Sequence, residues 1–371
     1  MLRLWSRFNH DGAKPLKQTN MRIGILGLPN VGKSSLFNIL TGADARVDLY
    51  PFTTIERNVG AAAIPDERLE RIAAITRPQR VTPAHIDFVD IAGLVKGASQ
   101  GEGLGNRFLA HVREADLLLH VVRAFSSPDI PHVLGTVDPD RDVEIISAEL
   151  ALADLACLER WLDHARKEPK SPERQLALHA AEKVQSALSK GEPVTGLRDD
   201  ELASIRSLNL LALKPMLYAV NCSDTEPTQP GRFPRLAASS PVLFSAALEL
   251  SMAGLDESEK TELREELGLD PRGPAGIVER SHEMLGLIRF YTIKGEESKA
   301  WSAAKGITAV EAAFSIHTEI GKGFIKAEVV SYADLVSEGD FSRARASGKV
   351  RIEGKNYQVQ DGDVLLIRFR T

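Results

Sequence analysis

The hydrophobic pattern of this chain changes period three times. From Met21, short apolar runs alternate with helical spacings. Ile23-Gly24-Ile25-Leu26 is an unbroken apolar run, as in a strand buried on both faces, and it leads through a glycine-bearing turn into the helix-like Ser35-Leu36-Phe37-Asn38-Ile39-Leu40. Asn58 to Ile64 reads as a strand, and Arg68 to Ile75 as a short helix with Leu69, Ile72 and Ile75 on one face. Ile86-Asp87-Phe88-Val89 and Leu117-Leu118-Leu119-His120-Val121-Val122 read as strands, with a helix over Asn106 to Ala115 before the second. From Asp142 the period becomes purely helical. Ile145, Ala148, Leu152, Leu155, Leu158 and Leu162 predict one stripe on a long helix. Pro169 and Pro172 break it, and Leu176, Ala180, Val184 and Leu188 predict a second helix with Gly191 as its cap. This α-hairpin reads as an insertion, because apolar strands resume at Pro215 to Val220 and Pro241 to Phe244. From Leu287 short alternating runs surround one helix, Ala309 to Ile316, which predicts a small mixed sheet gripping a helix.

Composition narrows this picture only slightly. At 371 residues the chain has room for two or three cores. A net charge of −5 does not indicate wholesale coating of nucleic acid, although the block from Leu287 is mildly basic. The two cysteines, Cys157 and Cys222, have no metal-like spacing, which suits a reducing cytoplasm. There is no run of about 18 apolar residues, so a membrane span is not expected. Residues 1–20 stand apart as a basic, acid-poor extension. They read either as a transit segment or as an upstream extension, and Met21 directly before the first strand favours the latter.

Candidate chemistry changes the picture more. Gly27-Leu28-Pro29-Asn30-Val31-Gly32-Lys33-Ser34 fits G-x-x-x-x-G-K-[ST] between a strand and a helix, the context of a phosphate-binding loop. Its glycines allow backbone N–H groups to turn inward on a phosphate. Lys33 supplies charge near the β- and γ-phosphates, and the Ser34 hydroxyl is a hard oxygen donor for Mg²⁺. Asp90-Ile91-Ala92-Gly93 follows a strand as D-x-x-G. There an Asp can reach Mg²⁺ through water, and a Gly N–H can meet a γ-phosphate. The glycine-rich stretch Gly97 to Gly105 comes next and reads as a loop that orders differently with triphosphate and diphosphate. The strand ends at Asn221-Cys222-Ser223-Asp224 and Ser245-Ala246-Ala247 are where such a protein meets the base.

With these residues the chain resembles the YchF/Obg-like ATPase family. The resemblance runs from Met21 to the C-terminus through the phosphate loop, Tyr50-Pro51-Phe52 with Thr54-Ile55-Glu56, Asp90 to Ala98, Gly101 to Asn106, Val137-Asp138-Pro139, Ala148 to Leu155, Ile316-His317 and Asp361-Gly362-Asp363. It implies an α/β fold: a Ras-like P-loop NTPase domain over 21–129 and 206–286, an inserted α-helical hairpin domain over 130–205, and a C-terminal β-grasp (TGS) domain over 287–371. It also implies a slow nucleotide switch that prefers ATP to GTP, works with Mg²⁺ and associates with the ribosome. On matching positions, Asn30, Val31, Gly32, Lys33, Ser34 and Ser35 would line the phosphates. Asn221, Cys222, Asp224 and Ser245 would meet the base. Ser34 and Thr54 would ligate Mg²⁺, with Asp90 behind a water. The family context implies a cytoplasmic monomer that can touch rRNA or tRNA through its TGS or helical domain.

Two departures matter. Leu94 stands where many GTPases place a water-orienting Gln, so hydrolysis is expected to be slow and the catalytic group is not identified. Cys222 replaces the Lys of N-K-x-D, which argues against GTP preference, while Asp224 is the residue type that reads guanine. Asn30 is also found in relatives that use K⁺, which makes K⁺ stimulation an expectation. The rival readings are a GTPase of the same architecture, a binding module with vestigial hydrolysis, and a small-molecule kinase. The D-x-x-G with its glycine loop argues against the kinase.

Overall fold

A computed structural model describes residues 21–42, 59–91, 109, 111–169 and 171–370. The extension 1–20, Thr54, Gly93, Leu94 and the glycine stretch 97–105 lie outside the described residues. The chain divides into two compact units. One comprises Met21–Ala61 and Asp87–Ile277, and the other includes Ala62–Ile86 and Val278–Thr371. The strands are β1 Arg22–Leu26, β2 Val59–Ala63, β3 Arg80–Thr82, β4 His85–Asp90, β5 Leu117–Arg123, β6 Met216–Asn221, β7 Val242–Phe244, β8 Leu287–Lys294, β9 Glu297–Ala304, β10 Phe324–Ser331, β11 Arg351–Glu353 and β12 Asp363–Phe369.

The first unit carries a six-stranded sheet in the order β2-β4-β1-β5-β6-β7. From β4 to β7 neighbouring strands run parallel, with Ile25 opposite Asp90 and Leu26 opposite His120. Every residue of β5 is buried, which explains why that strand reads as apolar on both faces apart from His120 and Arg123. The arrangement is an α/β P-loop fold, and it brings the carboxyl ends of β1, β4, β5, β6 and β7 to one edge, where ligands of such sheets bind.

The predicted helical hairpin forms as helices Pro139–Ala165 and Pro172–Ser189, each capped at its start by a side chain, Asp138 and Ser171. Its apolar stripe differs from the predicted one. In the longer helix the buried positions are Asp142, Ile146, Glu149, Leu150, Ala153, Asp154, Leu158, Leu162 and Ala165. Leu152 is 46% exposed and Ala148 is also exposed. Two carboxylates on the buried face have partners that offset their desolvation. Asp142 meets the His132 ring at 2.8 Å, while Asp154 accepts Ala212 N–H at 2.8 Å and lies 3.3 Å from Arg113.

The second unit has a six-stranded sheet ordered β11-β10-β12-β8-β9-β3. The pairs β8–β9, β10–β11 and β10–β12 are antiparallel, and β12–β8 and β3–β9 are parallel. Helix Ala309–Ile316 buries Ala309, Ala312 and Ala313 in one core with Phe290, Val329 and Leu365, as the gripped-helix reading predicted. The unit also recruits residues from far earlier in the chain. Arg68 binds Asp361 through two hydrogen bonds of 2.7 and 3.3 Å, and the Tyr291 hydroxyl donates to Asp66 at 2.8 Å.

Candidate functional site: a phosphate loop at the sheet edge

The site grows out of the end of β1. Gly27 has φ 151°, and a Cβ there would lie 2.4 Å from the Val121 carbonyl oxygen. Gly32 has φ 96°, and a Cβ there would lie 2.4 Å from Asn221 Nδ2. Both glycines are therefore required by close approach as well as by conformation. Asn30 takes the left-handed conformation at φ 63°, which Asn tolerates better than most residues. Gly32 then caps helix Lys33–Thr41.

Three carbonyls of the loop are held by side chains. Lys33 Nζ donates to Leu28 O at 2.8 Å. Arg123 Nη1 donates to Asn30 O at 3.3 Å, and Asn221 Nδ2 donates to Val31 O at 3.0 Å. Lys33 is 8% exposed; burial lowers its pKa, and the Asp90 charge pushes it the other way. The Asn30 side chain donates to Pro131 O at 3.3 Å. Ser35 follows, half-buried, in the first turn of the helix.

At the mouth of the loop, Ser34 Oγ donates to Asp90 Oδ2 at 2.9 Å. Two of the three expected metal-site residues are thus together, and the third, Thr54, lies outside the described residues. A hydroxyl and a carboxylate at this separation suit Mg²⁺, which binds through few protein oxygens and keeps waters and substrate phosphates as its other ligands. Among the described residues no cluster of three or more His, Cys, Asp or Glu could form an all-protein cage.

The residues expected at the base end are placed differently. Asn221, 4% exposed, joins the two ends: while its Nδ2 holds Val31, its Oδ1 accepts Ala246 N–H at 3.0 Å. Ser245 is fully buried, and its Oγ accepts Leu248 N–H at 3.4 Å as a helix cap. Cys222 turns inward. Its thiol packs in an apolar cluster with Val122, Phe233, Leu236 and Met252, and burial pushes its pKa up to about 11. Asp224 is exposed.

The sequence reading did not single out Arg123, His120, or the pair of His132 and Asp142. His120 is 1% exposed opposite Leu26, and burial, with a smaller contribution from Lys33, lowers its pKa to about 3, so the ring is neutral. The available signal was the presence of His120 and Arg123 within or at the end of an otherwise wholly apolar strand.

A glycine-shaped loop at the head of a helix, a hydroxyl in the first turn of that helix bonded to a carboxylate at the end of β4, and an asparagine strapping the loop define a P-loop nucleoside-triphosphate-binding protein of the GTPase class. A family model described as "50S ribosome-binding GTPase" matches residues 22–148, and the YchF-GTPase C-terminal model, described as "Protein of unknown function (DUF933)", matches 287–370. The chain belongs to the YchF family. It is 43% identical over 358 residues to the "Ribosome-binding ATPase YchF" of Haemophilus influenzae, covering 94% of this chain and 99% of that protein. It is 40% identical over 359 residues to the Bacillus subtilis protein of the same name, covering 93% and 98%. The solved structure of the Schizosaccharomyces pombe YchF GTPase superposes with a TM-score of 0.81 at 33% identity, covering 94% and 98% of the two chains.

Proposed function

We propose that this chain is a Mg²⁺-dependent ATPase that cycles slowly between triphosphate and diphosphate states and engages the ribosome in a nucleotide-dependent way. The observation that carries this is the near full-length identity to proteins named ribosome-binding ATPases, joined to an intact phosphate loop with Ser34 and Asp90 in contact. Asn30, Val31, Gly32, Lys33, Ser34 and Ser35 hold the phosphates, and Ser34 with Thr54 ligates Mg²⁺ while Asp90 acts through water. Asn221, Asp224, Ser245 and the backbone at Cys222 meet the base. The nucleotide-binding domain is assigned to 21–129 and 206–286, of which 62–86 and 278–286 group with the second compact unit, the helical domain to 130–205 and the TGS domain to 287–371, with rRNA or tRNA contacts made by the last two. The protein works in the cytoplasm as a monomer.

ATP preference is supported by the inward thiol of Cys222, which leaves no side chain at that position to lie along a purine ring. The GTPase reading has one favourable observation: Asp224 is exposed, at the position that reads guanine. Competition of unlabelled ATP and GTP against a fluorescent nucleotide separates the two, and tighter displacement by GTP would sink the ATP assignment. Phosphate release measured in the same preparation should require Mg²⁺ and rise when KCl replaces NaCl. Equal rates in the two salts would remove K⁺ from the mechanism, and no release at all would leave the binding-module reading.

A further inference from the structure

The bulkiest wholly buried side chain among the described residues is Arg123, 1% exposed at the end of β5. No carboxylate among the described residues forms an ion pair with it. Its guanidinium donates instead to three carbonyls: Phe125 O at 3.0 Å, Asn30 O at 3.3 Å and Ile130 O at 2.8 Å. The Phe125 ring lies 4.2 Å from the guanidinium carbon, and Asp142 is the acid whose charge it senses. A buried cation whose hydrogen bonds, among the described residues, all go to carbonyls, with its nearest acid acting only through charge, is a costly way to brace a loop. It becomes favourable if an anion comes to lie close by.

The peptide between Asn30 and Val31 is planar and trans, so its C=O and N–H point in opposite directions. Fixing the Asn30 oxygen on Arg123 therefore fixes the Val31 N–H on the other side. Asn221 does the same for the next peptide, holding Val31 O and so aiming the Gly32 N–H. The guanidinium also ties Ile130 to the loop, and Asn30 Nδ2 adds a second tie to Pro131. We infer that Arg123 is a positioning residue for the triphosphate: through the Asn30 carbonyl it aims the Val31 N–H at the phosphate, and its buried charge favours the anion from beneath. This rests on Gly27 to Ser34 being the phosphate site. The effect acts on the phosphates, so it is indifferent to the base.

The test is binding of fluorescent ATP and GTP analogues, with thermal melting of the free proteins, for the wild type, Arg123→Met and Arg123→Lys. One lost charge-assisted hydrogen bond to the loop corresponds to about tenfold in affinity. The expected result is a weakening of about tenfold or more, by the same factor for both nucleotides, in variants that still melt cooperatively. Arg123→Lys, which keeps the charge but not the three-way fork, should fall between the wild type and Arg123→Met. A folded Arg123→Met with unchanged affinity, or a loss confined to one base, overturns the inference. If Arg123→Met does not fold, Arg123→Lys decides: unchanged affinity overturns it, and an equal loss for both nucleotides supports it. Failure of the wild type to bind either nucleotide would overturn the phosphate-site reading itself, whereas a binding wild type with an unaltered variant overturns the role of Arg123 alone.

Discussion

The two ends of the nucleotide site are built to different standards. At the phosphate end the carbonyls of Leu28, Asn30 and Val31 are each held by a side-chain donor, from Lys33, Arg123 and Asn221. At the base end Cys222 is turned into the core, Ser245 is occupied as a helix cap and Asp224 is exposed. The phosphate end is thus preorganised by the scaffold, so ligand binding there does not have to order the loop first. On the proposed assignment, base choice is left to a few polar groups, of which only Asp224 is exposed. Selection between nucleotides should therefore be shallow, while the hold on the phosphate tail should be strong.

Substitutions at the two ends test this contrast. The largest effect is expected from Lys33→Ala, which removes a charge from the phosphate and frees the Leu28 carbonyl. Nucleotide affinity should fall by about a hundredfold or more, as for a lost hydrogen bond to a charged group. Near-normal binding by fluorescence titration would break the assignment of this end. Asn221→Ala removes the strap between the ends and leaves the Val31 carbonyl and the Ala246 N–H without their partner, so a loss of about tenfold in affinity is expected together with a lower Tm. A change in the ATP to GTP ratio with unchanged affinity would mean that Asn221 serves the base alone. The smallest effect belongs to Cys222. With its pKa raised to about 11 by burial, the thiol should resist alkylation by iodoacetamide at pH 8, where half-buried Cys157 reacts first. Cys222→Ala should move the ATP to GTP ratio by no more than about threefold, the scale of losing one small buried group rather than a base contact. A larger shift would show that the thiol reads the base after all.

Much of this is legible in the sequence. The strand-loop-helix around Gly27 to Ser34 is, because a phosphate loop needs a fixed spacing of glycines and that spacing survives in sequence. Helix Ala309–Ile316 was located to the residue, and in the structure Thr308 and Glu311 form a capping box at its start. The stripe on helix Pro139–Ala165 was right at Leu158 and Leu162, which are buried, and wrong at Ala148 and Leu152, which are exposed, because apolar residues occur on two of its faces. Its true inner face includes Asp142 and Asp154, whose burial depends on His132, Arg113 and a backbone amide, and periodicity does not register such partners. Arg123 was missed for a related reason: a strand's charged last residue usually points to water, and only the fold reveals three carbonyls around it. Strand β3, three residues long and largely exposed, carried too little pattern to be read as part of any sheet.

That short strand has a consequence for how the protein is made. Arg80 to Thr82 pair with Glu297 to Lys299, and Arg68 with Asp361, 293 positions away. A ribosome adds roughly 5 to 20 residues per second, so the segment 62–86 is synthesised about ten to forty seconds before its β9 partner. During that interval strands on either side of it, β1 among them, can begin to assemble while the segment stays unpaired. The sheet closed by β9, β12 and β11 is consequently a late event in the birth of the chain. A nascent protein arrested before residue 297 would carry a phosphate loop already translated and a second unit still missing the strands that β3 is waiting for.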